Sequence, residues 1–200
     1  SVIASLALLS TLETWKKERA VCVLTDISDL RRLEEELRYY SFHDTLTGLY
    51  NRAYFDKEFE RISKGRVVPI GLIVADIENL KRTNEKFGHD HGDKVIQFAA
   101  NILMNVFRKD DVVARVGGDE YAVILPGADE GVLKSIIGRI EVSLSGLQNQ
   151  QVGFYGLSFG YAVTSVVPFD KEELIRQANA KLYKEQRQKA LATQGHSSSG

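Results

Sequence analysis

Apolar residues recur with two periods along this 200-residue chain, and the alternation between them sketches a fold. Residues 2–11 and 19–26 are apolar, β-prone runs with the polar segment Thr14-Trp15-Lys16-Lys17-Glu18 between them, which predicts a hairpin. Asp26 then precedes a helical pattern in which Leu30, Leu33, Leu37 and Tyr40 fall three, four and three residues apart. Glu34 and Arg38 form a favourably oriented pair one turn apart on it. The pattern lasts about two heptads. It fits both an amphipathic helix lying on its own domain and a seam between two copies.

From Asp44 the chain switches period repeatedly. Leu49 to Ile62 reads as a helix, and the continuous apolar run Pro69-Ile-Gly-Leu-Ile-Val-Ala75 as a strand buried on both faces. Asn79 to Phe87 and Asp93 to Phe107 read as helices. Val112 to Val116 and Tyr121 to Leu125 read as a hairpin around Gly117-Gly118-Asp119-Glu120. Glu130 to Leu144 is helical, Val152 to Val163 is a strand region, and Lys171 to Gln188 is a final helix. Together these predict an α/β (α+β) fold with a central mixed, mainly antiparallel sheet covered by helices.

Composition narrows the function. With 44% hydrophobic and 26% charged residues the chain can bury a core and stay soluble. A net charge of −1 argues against nucleic acid as the main partner. The single cysteine, Cys22, cannot form an intrachain disulfide and fits a reducing, cytoplasmic compartment. The segment holds no apolar run long enough to span a membrane, so no membrane contact is expected of it, although a longer protein could be sensor-linked or tethered. Residues 191–200 are expected to be a disordered tail.

Candidate chemistry gathers at strand ends, where ligands in sheet folds collect. Asp76 follows the buried strand, and Asp119 and Glu120 sit at a hairpin tip. Oxygen ligands of this kind suit a hard divalent cation that shares its shell with substrate phosphates. Gly117 and Gly118 would let a phosphate approach the backbone. Taken singly each has a plainer reading: Asp76 as a helix cap, the tip as a turn. His89-Asp90-His91 reads as a solvated loop in preference to a transition-metal site.

Four ordered motifs change that picture. Asp44-Thr-Leu-Thr-Gly-Leu-Tyr-Asn-Arg52, the block from Asp76 to Asp93, Arg108-Lys-Asp-Asp111 and Gly117-Gly-Asp-Glu-Tyr121 resemble, in order, the motifs of the GGDEF family of diguanylate cyclases. Leu80 and Tyr121 stand where the family has Phe. The resemblance covers roughly residues 41–190. Residues 1–40, with Ala20-Val-Cys-Val-Leu-Thr-Asp-Ile-Ser28 and the helix after it, resemble the end of a PAS sensor domain and its exit helix.

The resemblance implies a nucleotidyl-cyclase-like fold and condensation of two GTP into cyclic di-GMP with release of pyrophosphate. It implies Mg²⁺ (or Mn²⁺) held by Asp76, Asp119, Glu120 and the carbonyl of Ile77, with Asp119 as the candidate general base. Lys81 would meet the terminal phosphates, Asn84 and Asp93 would read guanine, His89 would pack at the rim, and Gly117 and Gly118 would line the phosphates. Because each subunit carries one GTP, it also implies a catalytic homodimer. Arg108 and Asp111 match a product-inhibition site. A weak or inactive domain that binds GTP or cyclic di-GMP as a signal is the competing reading. An adenylate cyclase relative is disfavoured, because the Asp93 carboxylate suits the paired donors of guanine. The last helix departs from the family pattern: Gln186 and Ala190 replace a Lys and an Arg that reach phosphates, and Lys184, Arg187 and Lys189 are expected on other faces.

Overall fold

The computed structural model describes residues 26–145 and 154–197. The hairpin expected over 2–11 and 19–26 lies outside them except for Asp26, as does the start of the strand region expected from Val152. The chain divides into two units, 1–41 and 42–200. In the first, helix α1 (Ser28–Phe42) begins where Asp26 Oδ1 accepts the Ser28 N–H at 2.9 Å. Its seam positions Leu30, Leu33, Leu37 and Tyr40 are all exposed.

The second unit runs α2 (Arg52–Ser63), β1 (Ile70–Ile77), α3 (Leu80–Phe87), α4 (His89–Val106), β2 (Val112–Arg115), β3 (Glu120–Pro126), α5 (Glu130–Ser145), β4 (Leu157–Thr164) and α6 (Lys171–Ser197). The strands form one sheet in the order β2-β3-β1-β4, with every pairing antiparallel. Among the described residues the only parallel element is an isolated bridge, Tyr50 to Ala114.

The two-residue period of the strands divides the core in two. Ile73, Ala75 and Ile77 of β1 join Tyr121, Val123 and Leu125 of β3 on one face, packed with Leu80, Val95, Ile96 and Leu133 of α3, α4 and α5. Leu72 and Val74 join Ala122 and Ile124 on the other, with Phe55, Phe59 and Ile62 of α2 and Leu174 and Ala178 of α6. Helices on both faces are why β1 reads as an unbroken apolar run. Gly160 of β4 lets α6 sit directly on the sheet: a Cβ there would lie 2.1 Å from the Ala178 carbonyl oxygen.

Element boundaries differ from expectation at three places. α2 starts at Arg52, where Asn51 Oδ1 accepts the Tyr54 N–H at 3.0 Å and caps the helix. α4 starts at His89, so the polar His89–Gly92 stretch is its first turn and not a loop. α6 runs to Ser197, where a disordered tail had been expected from residue 191. No described helix is long and apolar enough to cross a membrane.

Candidate active site at the end of the sheet

The antiparallel register of β1 and β3 sets Asp76 opposite Glu120. The Ile77 N–H donates to the Asp119 carbonyl at 3.0 Å, which ties the end of β1 to the tip. Strand parity turns Asp76 and Glu120 toward the α2 and α6 face, shared with Val74 and Ala122. Three carboxylates that are 43 or more residues apart in sequence, or adjacent at a turn, therefore meet at one sheet end.

Burial and acidic neighbours both show in Asp76. Burial first, then the Asp119 and Glu120 charges, push its carboxyl up to about 7, against the hydrogen bond from Gln186. Such a cluster is relieved by a cation. Among the described residues no three His, Cys, Asp or Glu side chains stand close enough to hold an ion by themselves. The donors are nonetheless hard oxygens, and a divalent ion that keeps water and phosphate ligands needs only one or two carboxylates. The residues therefore fit a hard divalent ion such as Mg²⁺ or Mn²⁺ that takes its remaining ligands from elsewhere.

Hydrogen bonds hold the tip in place. Val116 N–H donates to the Glu120 carbonyl at 2.9 Å. A Cβ on Gly117 would come within 2.4 Å of Glu120 Oε2, whereas one on Gly118 would meet nothing within 4 Å. Gly117 thus makes room for Glu120, and Gly118 leaves an open wall. Arg115 ties Gly118 to Asp44: Nη2 donates to the Gly118 carbonyl at 2.7 Å and Nη1 to both Asp44 oxygens at 3.2 Å. Asp44 also accepts from Thr47 N–H and Oγ1 at 2.9 and 2.7 Å. Sequence reasoning missed Arg115. Its only signal was its place beside the tip, and the partner lies 71 residues away.

Beside the tip opens a cleft of about 490 Å³ lined by Asp119, Gly118, Arg115, Lys81, Asn84, His89 and Ile96, among others. Asn84 Oδ1 is buried there without a hydrogen-bond partner. Gly92 makes this possible, since a Cβ at that position would stand 1.8 Å from Asn84 Oδ1. The Lys81 side chain is 91% exposed and only 4.0 Å from Glu85, so it is available to a ligand. Asp93 is exposed on α4 and does not itself line the cleft. It lies four residues after His89 and three before Ile96, on the helical face those two present to the cleft.

Arg108 and Asp111 lie apart from the cleft, in the turn between α4 and β2. The Arg108 N–H donates to Asp111 Oδ2 at 2.8 Å, and burial raises the Asp111 carboxyl against that bond.

A second cavity, about 350 Å³, separates the loop after β1 from α6; Asp76, Glu78, Arg82, Gln186, Lys189 and Ala190 line it with two others. Here one expectation is overturned. Lys189 does not face elsewhere: three residues past Gln186 it is only about 60° around the helix, and its Nζ lies 2.7 Å from Glu78 Oε1. Gln186 does not wait for phosphate either; its Nε2 donates to Asp76 Oδ1 at 2.9 Å.

Comparison with known proteins gives these features a family. Residues 41–191 match the profile described as "Diguanylate cyclase, GGDEF domain". Diguanylate cyclase DgcM of Escherichia coli K12 is 29% identical over 157 residues, 76% of this chain and 38% of DgcM. Cyclic di-GMP phosphodiesterase PdeR of the same organism is 30% identical over 168 residues, 82% of this chain and 25% of PdeR. The chain thus spans well under half of these curated relatives. The crystal structure of the coiled coil and GGDEF domain of DgcB from Caulobacter crescentus, in complex with c-di-GMP, superposes with a TM-score of 0.73 at 30% identity, covering 80% of this chain and 88% of that one. With the profile spanning most of its length and the signature tip set against Asp76 at the end of the sheet, this chain belongs to the GGDEF diguanylate cyclase domain family.

Proposed function

We propose that this domain condenses two GTP into cyclic di-GMP. The observation that carries the proposal is the convergence of Asp76, Asp119 and Glu120 beside a cleft walled by Asn84. Asp76, Asp119, Glu120 and the Ile77 carbonyl would hold Mg²⁺ or Mn²⁺, which supplies charge neutralisation for the triphosphate and the departing pyrophosphate. Asn84 Oδ1 accepts from the guanine N2 amine, and the Asp93 carboxylate accepts from N1–H and N2. Lys81 meets the terminal phosphates.

Asp119 takes the proton of the ribose 3′-hydroxyl. The 3′-oxygen then bonds to the α-phosphorus of the nucleotide on a facing subunit, and the bond to pyrophosphate breaks. A second such step closes the ring, so two GTP yield one cyclic di-GMP and two pyrophosphates. Two copies are required, and the exposed α1 seam offers a heptad surface for pairing them. Arg108 and Asp111 bind product: the guanidinium pairs with phosphate or stacks on guanine, and the carboxylate leaves the Arg108 N–H to accept from the base.

One observation favours a second reading, a domain that binds GTP or cyclic di-GMP as a signal with little turnover. On the α6 side Gln186 and Lys189 are engaged with Asp76 and Glu78, and Ala190 brings no charge. The deciding experiment incubates the protein with GTP and Mg²⁺ and detects cyclic di-GMP by mass, with Asp119→Asn as control. Product from the wild type and none from the variant supports the cyclase. Tight GTP binding without product selects the second reading, and product from a folded Asp119→Asn protein refutes the site.

A further inference from the structure

Gln186 and Lys189 form one device on the inner face of α6. Lys189 Nζ donates to Glu78 Oε1 at 2.7 Å and to the Leu157 carbonyl at 2.8 Å, and its charge lies 2.8 Å from Glu185 Oε1 as an ion pair. Glu78 Oε1 also accepts from Ser158 Oγ at 3.0 Å, and the Glu78 N–H donates to the Gly156 carbonyl at 3.0 Å. Ser158 is fully buried. The loop that follows Asp76 is thereby fastened to the start of β4 and to α6 at once. Two residues before Glu78, Gln186 holds Asp76 Oδ1 directly, and no donor among the described residues reaches Oδ2.

We propose that Lys189 and Gln186 are positioning residues of the cation site. Lys189, through Glu78, fixes the loop on which Asp76 stands and keeps the Glu78 carboxylate turned to α6. Gln186 fixes the Asp76 carboxylate and leaves Oδ2 for the ion. This rests on the reading of Asp76 as a cation ligand. Partners that orient metal ligands typically change metal affinity by about 10–100-fold when removed.

The sign of the effect separates positioning from charge. Lys189→Met removes a positive charge close to the site, so Coulomb's law alone makes cation binding tighter. Lost positioning makes it weaker. Gln186→Leu changes no charge, so weaker binding there comes from the missing donor. The probe is Mn²⁺, titrated by its electron paramagnetic resonance signal against the full chain with a GTP analogue whose α–β bridge is methylene. Circular dichroism checks the fold.

The expected result is a Mn²⁺ dissociation constant raised about tenfold in Gln186→Leu and in Lys189→Met, with Lys189→Arg nearer the wild type. Nucleotide affinity in EDTA should be unchanged in Gln186→Leu. Tighter or unchanged Mn²⁺ binding in folded Gln186→Leu and Lys189→Met overturns the proposal. If the wild type binds no more Mn²⁺ than Asp119→Asn does, the cation-site reading itself fails, which is a separate result.

Discussion

Asp76→Asn tests the electrostatic state of the site directly. In the folded, cation-free chain the Asp76 carboxyl keeps its proton up to about 7, whereas its ordinary value is 3.8. The folded state therefore binds one more proton than the unfolded state between those values. Its contribution to stability is fully present below about pH 4 and is lost as pH rises through 7. At about 1.36 kcal/mol per pH unit the full difference is roughly 4 kcal/mol. Asp76 is only partly buried, and water screening reduces this to about 2 kcal/mol. The Asn side chain has nearly the same shape, still accepts from Gln186 and carries no charge. In EDTA at pH 8 the variant should therefore be about 2 kcal/mol more stable than the wild type, or roughly 4–8 °C in Tm for a chain of this size. At pH 4 the two should coincide. Mg²⁺ should raise the wild-type Tm at pH 8 and leave the variant unmoved, and the variant should make no product. Thermal melts from pH 4 to 8, with and without Mg²⁺, decide it. Parallel wild-type and variant curves in EDTA would refute the claim that burial and the neighbouring Asp119 and Glu120 charges raise the Asp76 carboxyl.

Arg115→Lys should cost about 1–3 kcal/mol in urea denaturation, because one ammonium cannot hold both Asp44 oxygens and the Gly118 carbonyl as the guanidinium does. Gly92→Ala should fold, since Ala suits a helix, yet its methyl displaces Asn84. GTP affinity should fall about tenfold, a lost hydrogen bond of about 1.4 kcal/mol, while ATP affinity changes little; equal losses would make Asn84 structural. Arg108→Ala should leave the initial rate intact and remove inhibition by added cyclic di-GMP in progress curves; equal sensitivity would return the Arg108–Asp111 turn to a structural role. Gln186→Lys should place its ammonium against Asp76, given the 2.9 Å contact of the present amide. More Mg²⁺ should then be needed for half-maximal turnover, and an unchanged requirement would show that residue 186 does not act on Asp76.

Much of this architecture was legible in local pattern. β1 was visible because helices cover both its faces, and the tip because turn glycines interrupt two apolar strands. Side-chain partnerships across the sheet were not. Asp44 and Arg115 are 71 residues apart, and Asp76 and Gln186 are 110 apart. Local periodicity carries no information about which turn of α6 stops over which loop. That is decided by the close seating of α6 at Gly160, a contact made only once β4 and α6 have packed. Lys189 was misplaced for a simpler reason: a three-residue step on a helix returns to nearly the same face.

The positions that depart from the family pattern, Gln186 and Ala190, lie on α6, whereas Asn84 lies on α3. Asp119 and Asn84 border the cleft formed with α3 and α4, whose apolar residues pack on one face of the sheet. Asp76 meets α6, which packs on the opposite face. The proposed base-reading wall and the acidic loop are thus supported by different helices, which meet at the sheet end and across the second cavity, where Arg82 of α3 faces α6. A substitution on α6 can alter how Asp76 and Glu78 are held without moving Asn84. Uncharged residues at 186 and 190 are therefore compatible with the guanine-reading wall proposed above, and their effect should appear in cation dependence before it appears in nucleotide choice.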